Sequence, residues 1–186
     1  MTAPLLFCIA EEAKPFVYKV MDVKVSGTED SLFNLVESRA GPNGDEQGFK
    51  RALREADTFE TDFIGASEQD CQAWAMEMQS RYNFIEQDLI GILDERSARD
   101  GTLLMQFYSR EPGLDVGDQV MLPKENDTWH SFRIDYQHAE MVSASLQYGD
   151  FEVIYPVYFG RKEELTDAHG VFDVARAERI CSGKES

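Results

Sequence analysis

Two aspartates stand where predicted strands of the chain end, which makes them the first candidates for chemistry. Asp62 lies near the end of a strand predicted over 58–64, and Asp94 closes one predicted over 88–94. Open α/β sheets bind ligands at the carboxyl ends of parallel strands. As close neighbours, Asp62 and Asp94 would form an acid–base pair or supply two oxygen ligands to Mg²⁺. The alternative is that both acids begin turns and cap helices.

The chain has three histidines, and none of them has a spacing typical of a metal site. His130 alternates with apolar residues on one face of a predicted strand, so it is either a core residue or, in an enzyme, an acid–base catalyst. His138 falls at a strand-to-helix junction, where capping explains it. His169 follows Asp167 in a turn, which suits a dyad or half of a metal site. Together these residue types predict no bound metal and no cofactor.

An aromatic tract over 148–159 is the third candidate for chemistry. Most such tracts belong to a core, but tyrosines in the wall of a pocket place hydroxyl donors against a ligand. The candidate binding residues are therefore Tyr148, Tyr155 and Tyr158, together with Arg133 from the polar face of the preceding strand. The pattern of the tract leaves helix, strand and bent loop open.

Motifs and cysteines exclude several classes of protein. The glycine-rich and serine motifs of nucleotide-driven enzymes and serine hydrolases are absent from the sequence. The three cysteines have no C-x-x-C spacing, which disfavours a disulfide scaffold and favours a reducing, cytoplasmic environment. Cys8 and Cys71 lie on apolar faces and are predicted to be inert core thiols, whereas Cys181 is the thiol expected to react.

The elements that must position these residues centre on a predicted βαβ unit over 58–94. Its helix, over 67–82, begins with a Ser-Glu-Gln-Asp capping box and repeats apolar residues at helical spacing around Trp74. Its second strand is an apolar run that ends at Leu93. Trp74 and Leu93 are therefore predicted core residues, and the two strands are predicted to be parallel.

The chain before this unit is predicted to open with a strand over 4–10 and a second strand over 16–25, which together form a hairpin. A residue with a hydroxyl side chain, followed by two acidic residues, then predicts the start of a helix that ends near Ala40. A second, amphipathic helix follows over 45–56.

The chain after the unit completes the predicted fold. Strands are predicted over 102–108 and 128–136, helices over 137–147 and 171–181, and a long connection over 109–127. These elements predict an α/β (or α+β) fold, in which helices pack on a mixed sheet.

A series of short motifs runs through this part of the chain. The series consists of Thr61-Asp62-Phe63 with Trp74, Leu-Asp-Glu-Arg-Ser at 93–97, Phe132-Arg133-Ile134 with Leu146 and Asp150-Phe151, and Asp-Ala-His-Gly-Val-Phe at 167–172. It resembles an uncharacterised domain family of bacteria and fungi over about 58–173, and leaves the first 57 residues unmatched. That family has no assigned chemistry, so the resemblance implies a compact α/β domain and transfers no site residues.

Length and charge limit the class of protein further. The 186 residues fit a single domain over 1–186, with a strand–strand–helix extension over 1–57 as a candidate subdivision. The 35 acidic and 18 basic residues give a net charge of −17, which opposes direct binding to nucleic-acid phosphates and to anionic membranes. The sequence has no apolar stretch of the length that a membrane-spanning helix needs.

Two hypotheses of function follow. The favoured one is an acidic interaction protein, such as an inhibitor, immunity factor or adaptor, that presents a carboxylate-rich surface to a basic partner. It depends on the net charge and on the missing catalytic motifs. The alternative is a cofactor-independent isomerase, cyclase or lyase that takes a small apolar ligand into an aromatic-lined pocket. In that enzyme the acid and base would be Asp62, Asp94, His130 or a tyrosine.

Overall fold

The computed structural model describes residues 3–41, 49–79, 81, 88–109, 115–116, 119–120 and 128–185. Within these ranges the strands are β1 Leu5–Cys8, β2 Asn34–Leu35, β3 Leu89–Leu93, β4 Thr102–Ser109, β5 Asp115–Val116, β6 Gln119–Val120 and β7 Thr128–Asp135. The helices are α1 Val17–Met21, α2 Glu68–Gln79, α3 Glu95–Asp100, α4 Ala139–Tyr148, α5 Phe151–Tyr158 and α6 Val174–Cys181. Short 3-10 turns at Glu11–Phe16 and Tyr136–His138 lead into α1 and α4.

Five strands form one mixed sheet in the order β2-β1-β3-β4-β7, so the predicted α/β fold with a mixed sheet is confirmed. β1 is parallel to both of its neighbours, since Leu5 lies opposite Asn34 on β2 and opposite Ile90 on β3. The β3–β4 and β4–β7 pairs are antiparallel. Because β2 and β3 lie on opposite sides of β1, the strand order reverses at β1. The carboxyl ends of β1 and β3 therefore border the crevice in which such sheets bind ligands.

Helices cover both faces of the sheet. Apolar residues of α1, α4, α5 and α6 pack on one face, and those of α2 pack on the other. Alternate residues of β1 point into the two cores: Leu6 and Cys8 into the first, and Leu5 and Phe7 into the second. Burial on both faces explains why the central strands are apolar throughout.

The predicted βαβ unit is present, but with a different first strand. α2 and β3 form as predicted, whereas residues 58–64 form turns and irregular backbone rather than a strand. Thr61 Oγ1 donates to Val36 O (3.1 Å) just after β2, so this segment caps the end of the sheet instead of joining it. Its aromatic residues are still buried, because Phe63 packs edge-on against Phe7 with ring centres 4.9 Å apart. The strand parallel to β3 is β1.

Two predictions for the N-terminal part are wrong. The segment 16–25 contains α1 rather than a strand, and no opening hairpin forms. As a helix, this segment buries Phe16, Val17, Val20 and Met21. The burial of these apolar side chains outweighs the β-propensity of the segment. The helix expected to end near Ala40 is replaced by β2. Every residue over 31–36 is buried, which favours a strand covered on both faces over a helix with one exposed side.

The helix predicted over 45–56 lies partly outside the described residues. Over 49–56 the chain is irregular, and Lys50 makes an isolated bridge to Leu35 of β2. Phe49 and Leu53 pack against the cores, but Ala52 and Ala56 of the expected apolar face are exposed, so the four residues do not form one buried helical face. Most of the predicted connection over 109–127 also lies outside the described residues.

Four elements that follow β3 agree with the predictions, whereas the short helix α3 was not predicted. β4, β7, α4 and α6 form within a few residues of their predicted bounds. Most of the aromatic tract forms α5, whereas Tyr148 ends α4. α5 contains Pro156 and begins where Asp150 Oδ1 accepts a hydrogen bond from Glu152 N (3.0 Å). Trp74 and Leu93 are buried core residues, as predicted.

Candidate functional site

Asp94 is an ionised carboxylate at the carboxyl end of β3. Its Oδ1 caps α3 by accepting a hydrogen bond from Ser97 N (3.0 Å), and both of its oxygens accept hydrogen bonds from the Arg133 guanidinium. Burial raises the pKa of Asp94, but the bonds and charge of Arg133 and the Ser97 donors outweigh burial, so the pKa lies below its ordinary value. The structure therefore shows the capping role that the sequence offered as the alternative. It also places Arg133, a candidate binding residue, in this ion pair.

Asp62 lies beside a different strand. Its backbone N donates to Glu37 O (2.9 Å), just beyond β2, and its Oδ2 accepts from Arg39 N (2.9 Å). β2 and β3 are separated by β1, so the strands that neighbour Asp62 and Asp94 are two strand spacings apart, roughly 10 Å. The expected acid pair depended on a strand over 58–64, which the structure does not form. The two carboxylates instead have separate partners.

His130 and Tyr155 belong to an aromatic cluster around Phe159. The His130 ring lies 4.9 Å from the Phe159 ring, and the Tyr155 ring meets Phe159 edge-on at 5.1 Å. Both side chains are half-buried. This position agrees with the core interpretation of the aromatic tract.

Tyr158 is fully buried between α5 and α6. Its hydroxyl donates to Glu178 Oε1 (2.6 Å), which also accepts from Ser145 Oγ (2.6 Å) on α4. Burial, and then the neighbouring carboxylate, raise the pKa of Tyr158 well above its ordinary value. Glu178 therefore joins three helices, and the Tyr158 hydroxyl that it binds is not offered to a ligand.

The three cysteines are free thiols. Burial raises the pKa of Cys8 and of Cys71 to about 12, and that of Cys181 to about 11. Cys8 and Cys71 are buried, as predicted, and Cys181 is half-buried. All three therefore stay in the protonated, weakly nucleophilic form near neutral pH.

Two clefts flank α3 at the carboxyl edge of the sheet. The smaller one, of about 350 Å³, is lined by Ile9, Ala10, Asp94, Glu95, Arg96 and Arg99. The larger one, of about 620 Å³, shares the two arginines and is completed by Asp100, Thr102, Asp135, Asp167, His169 and Val171. The candidate dyad of Asp167 and His169 thus lies in a cleft, where Asp167 Oδ1 accepts from the backbone N–H groups of His169 and Val171 (2.8 Å each).

The helix α3 was not predicted from the sequence, so its two arginines were not among the candidate residues. The signal is present in the sequence. Asp94 and Ser97 form a capping box, and Gly101 ends the helix with a positive φ of 71°.

A second unpredicted feature is the exposed surface of α4 and α5, called here the α4–α5 surface. It holds exposed apolar side chains, with Tyr148 58% and Phe151 44% exposed beside Met141 and Val153. Its acids are the exposed Asp150 and Glu152, and the sequence contains no Lys or Arg between Arg133 and Arg161. This gap in the basic residues is the sequence signal that could have found the surface.

The described residues form no helix that is long and apolar enough to cross a membrane. They also hold no group of three or more His, Cys, Asp or Glu side chains arranged to bind a metal ion.

Comparisons with protein-family models, with curated proteins and with solved structures give no significant match to this chain. The resemblance to an uncharacterised domain family therefore stays a prediction.

Proposed function

We propose that this protein is an interaction protein whose α4–α5 surface binds a basic partner protein. One observation carries the proposal: exposed apolar side chains and carboxylates coincide over a span, 134–160, that contains no Lys or Arg. Apolar patches rimmed by polar groups are typical of protein interfaces. A rim of one charge sign selects partners of the opposite sign.

The exposed side chains indicate how such a partner would bind. Tyr148 and Phe151 are large aromatic residues, which dominate binding energy when they enter pockets on a partner. Asp150 and Glu152 lie at the start of α5, beside these residues, and would meet Lys or Arg at the rim of the contact. The net charge of −17 would steer the approach of a basic protein over a longer range.

The alternative of a small-molecule enzyme with an aromatic pocket has less support. Its candidate acids, Asp62 and Asp94, have separate partners, and the Tyr158 hydroxyl is bound to Glu178. The two clefts beside α3 are lined by residues outside the aromatic tract.

The proposal is tested by comparing baits in a native lysate. The wild-type chain and a Tyr148→Ser/Phe151→Ser variant are immobilised, and bound proteins are identified by mass spectrometry. We expect a basic protein that the wild type retains and the variant loses. Both substituted side chains are exposed, so the variant should keep its thermal stability. Equal capture by the two baits would contradict the proposal.

A matched pair of charge variants tests the role of the acids. Asp150→Asn/Glu152→Gln removes two charges from the α4–α5 surface, and Glu12→Gln/Glu163→Gln removes two from elsewhere. Asparagine at position 150 can still cap α5. With the captured partner, we expect the first variant to lower the association rate severalfold and the second to lower it much less. The wild-type rate should also fall as salt rises. Equal effects of the two variants would show that only total charge matters.

A further inference from the structure

The smaller of the two clefts beside α3 lies where this fold makes a ligand crevice. Ile9 and Ala10 directly follow β1, and Asp94 directly follows β3. The strand order reverses at β1, so these residues border the switch point of the sheet. The clefts share Arg96 and Arg99, and together they are called here the α3 groove.

Four of the five carboxylates that line the groove already have hydrogen-bond donors, and the fifth, Glu95, is exposed. Asp100 accepts hydrogen bonds from Arg96 Nε (2.6 Å) and from Thr102 Oγ1 (2.5 Å). Asp167 accepts two backbone N–H groups of its own turn, and Asp135 accepts one from Gln137 (2.9 Å). These acids therefore hold the backbone and Arg96 in place.

Arg99 differs from Arg96 because its guanidinium donors are unused. Its side chain is exposed, lines both clefts and makes no ion pair or hydrogen bond within the part of the chain that the structure describes. Arg96 lies one helical turn before Arg99. Its Nη1 is close to the turn at Gly170, since a Cβ atom added to Gly170 would lie 3.8 Å from it. A guanidinium group pairs in two-point geometry with carboxylate and phosphate oxygens.

We propose that the α3 groove binds a small molecule through one oxyanion group, a carboxylate or a phosphate, which pairs with Arg99 beside Arg96. The net charge of −17 and the nearby aspartates disfavour polyanions, so the ligand carries a single such group. The rest of the ligand lies against Ile9 and Ala10 at the switch point. This site is separate from the α4–α5 surface and does not depend on its role.

The test is a nuclear magnetic resonance titration of the full chain with inorganic phosphate and, separately, with acetate, at an ionic strength held constant with chloride. We expect one or both anions to shift the Arg99 Nε–H signal and the backbone amides of 9–10 and 94–100, and to saturate. Saturation by phosphate alone or by acetate alone supports the proposal and identifies the oxyanion class. Saturation by neither anion would overturn it.

A pair of matched variants separates a site from bulk charge. Arg99→Gln removes the proposed ligand-binding group, and Arg51→Gln removes the same charge from an exposed position outside the groove. We expect Arg99→Gln to weaken anion binding at least tenfold and Arg51→Gln to leave it unchanged. Equal weakening by both variants would overturn the proposal. Unchanged melting temperatures would show that both variants fold, as their exposed positions predict.

Discussion

Asp94 and Arg133 join the end of β3 to β7 through an ion pair whose side chains are 27% and 12% exposed. The pKa of Asp94 in the folded chain lies below its ordinary value, because the bonds and charge of Arg133 and the Ser97 donors outweigh the effect of burial. The pair therefore adds stability above the ordinary pKa of about 3.9, and this stability is lost as the pH falls through the folded value. We expect Asp94→Asn to lower the free energy of unfolding by about 1–2 kcal/mol at neutral pH. This range is smaller than for a fully buried ion pair, because solvent partly screens the two charges.

The pH dependence distinguishes this ion pair from the capping of α3. Asparagine is a good helix cap, so Asp94→Asn should keep the bond to Ser97 and remove only the charge. Urea unfolding of the wild type and the variant should give a smaller difference at pH 3 than at pH 7. Glu12→Gln, at an exposed site, is the control and should have little effect at either pH. A cost of Asp94→Asn that is the same at both pH values would show that charge is not involved.

At the scale of elements, α2 is fixed to the sheet by Trp74. Its ring meets Phe7 and Phe63 edge-on at 5.7 Å and 5.6 Å, and its Nε1–H donates to Arg39 O (3.0 Å). We expect Trp74→Ala to cost ~3–5 kcal/mol of unfolding free energy, because it empties the centre of this core. Trp74→Phe keeps an aromatic ring but loses the hydrogen bond, so it should cost less than the alanine variant. A change within ~0.5 kcal/mol for Trp74→Ala in urea unfolding would show that α2 does not depend on this residue.

The sequence pattern predicted well the elements whose local signals all favour one kind of structure. α2 begins with a capping box and repeats its apolar residues at helical spacing, and β3 is a plain apolar run, so local pattern and tertiary burial agree. The prediction failed at β2 because the apolar residues over 32–36 fit a helical stripe as well as a strand in the sequence. Only the structure shows that every residue over 31–36 is buried, as in a strand covered on both faces. α1 fails because the β-propensity of Val, Tyr and Phe is weaker than the burial that a helix achieves there.

Only those features of the candidate site that depend on a single strand or helix could be predicted from the sequence. Asp94 was correctly placed at the end of β3, since the end of a strand is a local feature. Its pairing with Arg133, 39 residues away, is set by the antiparallel register of β4 and β7 and has no local signal. Asp62 was misplaced together with its strand. The groove beside α3 likewise depends on strand order, which a single sequence does not contain.

At the scale of the whole molecule, the net charge of −17 acts on folding as well as on binding. Like charges on a compact chain repel one another and destabilise it. Raising the ionic strength from ~0.01 M to ~0.15 M shortens the screening length from ~30 Å to ~8 Å, and so removes most of the repulsion between distant carboxylates. The exposed ion pairs weaken over the same change, but each contributes little.

We therefore expect the melting temperature at pH 7 to rise by a few degrees over this salt range, since ~1 kcal/mol corresponds to roughly 2–4 °C for a chain of this size. Differential scanning calorimetry in sodium chloride measures the rise. The variant Glu12→Gln/Glu163→Gln, which lowers the negative charge by two, should show a smaller rise in melting temperature. The same salt range should slow association with a basic partner, so salt acts in opposite directions on stability and on binding. A melting temperature that falls as salt rises would mean that local ion pairs, rather than the net charge, dominate the electrostatics of the fold.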